Sequence, residues 1–204
     1  MAERPLGLRE RNRARTYAEI ADAAVDLFER QGYDTTTVEQ IAKAAGVSPA
    51  TFFRYFATKE DVLFADEEPA AAALTERVAA RTDRSTTSVA ALAEPVIAYA
   101  EATVGQGSPH SLRLMKLVMT TPSLAPRSLR MRLRWERDLA HQLATESGLD
   151  FPQLVHTVVA AIAVSCLTSA LRHWPKTSSP NALAKLVREA FEHATGFPRD
   201  CSAR

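Results

Sequence analysis

Apolar residues recur along this chain every three or four positions and almost nowhere in strict alternation, a pattern that predicts one helix after another. The clearest stripe, Ile20, Ala24, Leu27 and Phe28, predicts an amphipathic helix over residues 16–31, stopped by Gly32. Thr36, three residues before Glu39, is a capping-box signature, after which Val38, Ile41, Ala42 and Ala45 give a second apolar face. Gly46 stands just past that face, where a left-handed backbone closes a helix. Ser48-Pro49 then restarts the chain with an N-cap and a proline at the first helical position. Phe52 and Phe56, four apart, mark the buried side of this next helix, and Ala50, Thr51, Arg54 and Tyr55 fall on its other faces. Helix, glycine turn and helix with a polar outer face is the helix-turn-helix plan, whose second helix enters the DNA major groove.

Beyond this stretch, Thr58-Lys59-Glu60-Asp61 reads as the cap of a further helix, and Asp66-Glu67-Glu68-Pro69 as a break between domains. Helices are predicted over 70–81, 88–104, 111–120, 123–147 and 181–195, with loops at 82–87 and 105–109. Residues 151–171 contain no Asp, Glu, Lys or Arg and are long enough to cross a bilayer. His156, Thr157, Ser165, Thr168 and Ser169, and the lack of aromatic belts, argue instead for a helix buried on every side. A domain of this size seldom buries a whole helix alone, so a second copy is the natural cover. Helices 152–174 and 181–195 from two subunits would make a four-helix interface, the latter through Leu183, Leu186, Val187, Ala190 and Phe191. The expected fold is all-α. A basic arm (1–15) precedes a three-helix helix-turn-helix DNA-binding domain (16–64), followed by a helical-bundle dimerisation domain (65–197) and a tail (198–204).

Composition adds little for the molecule as a whole: of 204 residues, 46% are hydrophobic and 24% charged, and the net charge is +1. The distribution is more telling. Residues 1–15 carry five Arg against two Glu, whereas residues 61–77 carry five acids and one base. A basic arm beside a helix-turn-helix can neutralise phosphates flanking the groove and add salt-dependent affinity. Arg13 is the first choice within it, ahead of Arg9 and Arg11. Arg54 can pair with guanine edges or with phosphate, and Thr51 can reach a thymine methyl or a phosphate, or serve as a local cap with Ser48. Lys59, at an expected helix start, and Thr37, at the equivalent place on the earlier helix, read as positions that clamp the DNA backbone.

Leu27-Phe28, Gly32-Tyr33, Thr37-Val38, Ile41-Ala42, Ala45-Gly46-Val47-Ser48, Thr51-Phe52-Phe53, Tyr55-Phe56 and Lys59-Glu60 stand in fixed order and spacing. On these residues the run 16–63, about a quarter of the chain, resembles the DNA-binding domain of TetR-family transcriptional regulators. The resemblance implies a DNA surface that includes Ser48, Pro49, Ala50, Phe53 and Tyr55 with the residues above. It also implies a dimer through the last two long helices and a small effector bound among the helices of the second domain. Phe53 departs from the tyrosine common at its position and lacks the hydroxyl that would reach a phosphate. Tyr55 stands where histidine is common, and Ala50 near a frequent glycine, departures that bear on the target sequence.

An enzyme is not indicated. None of the five histidines stands in His-Glu-x-x-His spacing, and no nucleophile elbow, phosphate loop or cysteine pair occurs. Gly105-Gln106-Gly107 follows no strand and lacks a third glycine in place, so it is no nucleotide fingerprint. No cofactor or metal is called for. Cys166 and Cys201 form no redox or metal motif, and with the absence of a signal peptide this points to the cytoplasm. The arginines of 127–137 read as a solvated helix face. Tyr99, Met115, Met119, Trp135 and Phe151 are the large or soft residues expected to surround an effector, although each would serve equally as core filling. An apolar or amphipathic ligand suits them.

The resulting expectation is a cytoplasmic homodimeric repressor on a near-palindromic double-stranded operator, released by an effector and not associated with membrane. Its rivals are a DNA-binding regulator without an effector, constitutive, activating or architectural, and an enzyme or carrier domain with a vestigial head.

Overall fold

The computed structural model describes residues 7–105, 108–177, 179 and 182–196. The expected tail with Cys201, residues 1–6 of the arm, Gln106 and Gly107 of the 105–109 loop, and Asn181 lie outside the described residues. Among the described residues the regular structure is entirely helical: α1 (Leu8–Gln31), α2 (Val38–Ala44), α3 (Pro49–Tyr55), α4 (Glu67–Ala79), α5 (Ala93–Gly105), α6 (Pro109–Thr120), α7 (Ala125–Glu146), α8 (Leu154–His173) and α9 (Ala182–Thr195). The chain divides into two compact units.

The first unit runs to Ala65 and takes in Pro109–Ser123. Its core joins Ile20, Ala24, Val25 and Phe28 of α1 to Ile41 and Ala42 of α2, Phe52 of α3, and Phe56, Val62 and Phe64 beyond it. Three local expectations are revised. The helix expected from residue 16 starts at Leu8, because the straight-chain Arg and Glu residues upstream are good helix formers and Glu10 accepts a hydrogen bond from the Gly7 N–H at 2.9 Å. The box at the start of α2 belongs to Thr37 and Gln40, one residue later than Thr36 and Glu39. Gln40 Oε1 accepts from the Thr37 N–H at 2.9 Å, while the buried Thr36 hydroxyl donates to the Gly32 carbonyl. Residues 58–66 form successive turns rather than a helix, although the Thr58 hydroxyl and backbone N–H both donate to Asp61 Oδ2 as a cap would.

The helix α6, expected within the second domain, also belongs to this first unit. It packs along α1 through a polar seam: His110 Nδ1 lies 2.6 Å from Asp22, and Arg113 bridges Asp26 and Glu29. Those carboxylates at helical spacing push the Arg113 guanidinium further toward its charged form.

The second unit comprises Asp66–Ser108 and Leu124 onward. Here α7 packs on α8, α8 on α9, α9 on α5, and α4 on both α5 and α7. Leu74, Leu92, Leu139, Leu143, Leu167, Trp174, Leu183 and Val187 are fully enclosed. Arg81 donates to both oxygens of Glu146 at 3.1 and 2.7 Å, with each side chain only 6% exposed. His156 is a satisfied core histidine: its Nδ1 accepts from the Gln153 N–H at the start of α8, and its Nε2 lies 3.2 Å from the Ser147 hydroxyl. The stretch Leu154–Lys176 is long and apolar enough to cross a membrane by length and composition, and 56% of its most apolar window is buried inside the protein. The rest of α8 is not covered within one chain: Leu154 is 79% exposed, and Val155 and Val158 are exposed beside it.

Candidate nucleic-acid interface

The turn between α2 and α3 has the backbone its sequence implies. Gly46 adopts φ 68°, in the left-handed region open to glycine, and the Val47 N–H returns to the Ala42 carbonyl at 2.9 Å. Ser48 caps α3, its hydroxyl accepting from the Thr51 N–H at 3.1 Å and lying 3.0 Å from the Thr51 hydroxyl. Pro49 opens the helix. Thr51 is therefore tied into the cap as well as half exposed. With Phe52 buried, Pro49, Ala50, Phe53 and Arg54 are left on the open face, Phe53 54% exposed and edge-on to Phe52 at 5.6 Å.

The start of α1 lies against the end of α3. Tyr17 stacks on Phe56 with ring centroids 4.8 Å apart. Above this contact an open cleft of about 660 Å³ is lined by Arg9, Asn12, Arg13, Thr16, Arg54 and Tyr55. The guanidinium of Arg54 lies 5.5 Å from the centre of the Tyr55 ring. The cleft thus joins Arg13, Arg54 and Tyr55 from the sequence-derived set and adds Asn12 and Thr16, which the sequence reading missed. Positions 9, 12, 13 and 16 share one face of a helix. That signal was hidden by treating residues 8–15, the first two turns of α1, as part of an arm.

Thr37 is exposed at the start of α2 and its hydroxyl accepts from Gln40. Glu39, beside it, is held below the usual carboxylate range by its own backbone N–H and by the Thr37 hydroxyl. Lys59 is engaged within its own unit. Its ammonium donates to the carbonyls of Tyr33 and Thr36, both at 2.7 Å, and to that of Asp34 at 3.3 Å, while lying 4.4 Å from the centre of the Tyr33 ring. The carbonyls leading into α2 hold the ammonium, so the side chain braces the segment between α1 and α2.

The five ligand candidates are split between the units. Tyr99 and Trp135 are buried in the second unit with ring centroids 6.2 Å apart, and burial pushes the Tyr99 phenol up. The Trp135 indole N–H is enclosed and donates to nothing among the described residues. Met115 and Met119 are half-buried on α6 of the first unit. Phe151 is 78% exposed and is not a pocket residue of its own chain. It extends the bare apolar face of Leu154, Val155 and Val158, because it precedes α8 rather than lying within the bundle.

Comparison with known proteins adds the family. Residues 20–65 match the model described as bacterial regulatory proteins, tetR family, and residues 86–197 match the MftR C-terminal domain. The HTH-type transcriptional regulator TcmR of Streptomyces glaucescens is 37% identical over 166 residues, covering 76% of this chain and 73% of that protein. Among solved structures, Thermus thermophilus FadR, a transcriptional repressor in complex with lauroyl-CoA, aligns with a TM-score of 0.53 at 22% identity over 92% of this chain and 98% of its own. NalD of Pseudomonas aeruginosa, the secondary repressor of a multidrug efflux pump, aligns with a TM-score of 0.62 at 21% identity over 92% and 99%. These relatives are regulators of transcription, not enzymes.

Proposed function

Because this chain belongs to the tetR family of bacterial regulatory proteins, and so is a transcriptional regulator, we propose that it binds a near-palindromic operator as a homodimer, represses the adjoining promoter in the cytoplasm, and is released by a small apolar or amphipathic effector. The observation that carries the reading is the capped helix α3, with Ala50, Phe53 and Arg54 on its open face and a basic cleft beside it. Two such helices, one per subunit, would enter successive major grooves about 34 Å apart. Thr37, Ser48, Pro49 and Thr51 set the register of that helix against the DNA backbone.

The apolar face of Phe151, Leu154, Val155 and Val158 supports the dimer, since an exposed cluster of large apolar side chains calls for a partner surface. Continuing along α8 and onto α9, Ile162, Ser165, Ala190 and Ala194 line a shallow groove that an identical helix pair would fill. The effector belongs with Tyr99 and Trp135. An enclosed indole N–H without an acceptor among the described residues favours a ligand that brings one, such as the carbonyl of an acyl compound, and FadR of the same fold is bound to lauroyl-CoA. Release follows if the effector binds better to a state whose two heads are wrongly spaced for the operator.

Selection of the purified full-length protein on a random double-stranded DNA pool tests the reading. A palindromic site is expected, and its affinity should fall when medium-chain acyl-CoA is added. Enrichment of no site in moderate salt would remove the operator-binding reading; a site indifferent to every apolar ligand tried would leave a regulator without an effector.

A further inference from the structure

Resting on the DNA-binding reading, we infer that the cleft between the start of α1 and the end of α3 seats one DNA backbone phosphate, held jointly by Arg9, Arg13 and Arg54, and that Arg54 therefore grips the backbone rather than reading a base.

The chemistry of the cleft selects for an anion with several acceptor oxygens. Its six lining residues supply three guanidiniums and the neutral polar groups of Asn12, Thr16 and Tyr55, and no carboxylate. The acids closest in sequence are engaged elsewhere: Glu10 accepts from the Gly7 N–H, and Glu19 lies 3.6 Å from Arg15. Arg9, Arg13 and Arg54 form no ion pair among the described residues. Guanidinium is the side chain whose planar donor fork fits phosphate oxygens. A guanine edge offers two acceptors and is satisfied by one guanidinium; three donor-only cations lining one cleft exceed what a single base edge can accept and suit the several oxygens of a phosphate.

The fold explains why the three converge. On α1, positions 9, 13, 16 and 20 follow one another at helical spacing, so the stripe that buries Ile20 and Ala24 continues outward as Thr16, Arg13 and Arg9. The packing face of α1 thus becomes a basic face once it passes the edge of the core. The Tyr17–Phe56 stack fixes that edge against the end of α3. Arg54 lies in the last turn of α3 and is drawn to the same side by the Tyr55 ring, away from the helix start at Pro49 and Ala50. Base reading then falls to the first turn of α3 and to Phe53, whose bare ring suits a thymine methyl.

A phosphate scan tests this placement. On the operator selected by the wild-type protein, each backbone phosphate in turn is replaced by a neutral methylphosphonate, and the affinities of wild type, Arg13→Ala and Arg54→Ala are measured over a range of salt. One phosphate position per half-site is expected at which neutralisation weakens wild type about tenfold or more and weakens each variant markedly less, since each has lost one of the three guanidiniums on that phosphate. Each substitution should also lower the salt slope by about one unit, as expected for one lost phosphate contact. Repeating the pool selection with Arg54→Ala should return the wild-type consensus. A consensus altered at one base pair with an unchanged slope, or coupling of Arg13 and Arg54 to different phosphates, would overturn the shared site. Thermal unfolding of both variants is expected to match wild type, because both side chains are exposed and form no ion pair among the described residues; a large loss of stability would make them structural and overturn it too. Failure of the wild type itself to select any duplex would defeat the DNA-binding reading and this placement with it.

Discussion

Arg9, Arg13 and Arg54 line the cleft of the first unit without a carboxylate, whereas in the second unit the buried Arg81 is closed bidentately on Glu146, and the more exposed Arg132 and Arg188 make single bonds to Glu136 at 2.7 Å and Glu94 at 3.0 Å. The same side chain serves opposite ends. A buried guanidinium must have its partner inside the protein, because desolvation of an unpaired charge is strongly unfavourable. A solvated one can remain uncommitted at little cost to the fold and stay available to a phosphate. The comparison also separates two kinds of open surface. The first unit exposes charge toward a polyanion, and the second exposes Phe151, Leu154, Val155 and Val158, which suit a surface like themselves.

The sharpest way to break this comparison is to leave Arg81 alone in the core. Glu146→Ala should lower the unfolding free energy by about 3–5 kcal/mol, measured by chemical denaturation at fixed protein concentration. A denaturation curve overlaying that of wild type would mean that the buried pair is not structural. Next in size is the apolar face. Leu154→Arg would set like charges against each other across a two-fold axis, and should weaken self-association by several kcal/mol. Sedimentation velocity at micromolar concentration should then report a monomer; an unchanged dimer would move the interface elsewhere. The smallest effect concerns Lys59, whose ammonium is held by backbone carbonyls. Lys59→Met should cost about 1.5–3 kcal/mol of stability through the hydrogen bonds lost at Tyr33 and Thr36, seen as a lower melting temperature. If melting is unaffected while operator affinity collapses, Lys59 is a DNA contact after all and the internal brace is incidental.

Much of the head was legible because its instructions are local. Gly46 needs a left-handed backbone, Ser48-Pro49 can start a helix and little else, and Phe52 with Phe56 shares one face whatever the rest of the chain does. The errors in the head are of one kind. Thr36 and Thr37 are equally good caps by composition, and only packing, which buries Thr36 at 1% exposure, hands the role to Thr37. The helical start at Leu8 was not legible because charged residues before a core stripe carry no apolar periodicity to announce a helix, even though their propensity allows one.

By itself, then, the sequence determined the all-helical class, the positions of the helix-turn-helix and its caps, and the apolar character of α8, since these follow from steric and capping preferences and from periodicity over a few residues. Only the tertiary structure decided where the long-range polar groups go. It turned Lys59 inward to carbonyls more than twenty residues away, joined α6 to α1 through His110 and Arg113, and brought Arg9 and Arg13 to the same cleft as Arg54. It also left Phe151 bare on the surface. The physical reason is range. A charge or an exposed ring takes its role from whatever the fold sets beside it, and that neighbour is distant along the chain.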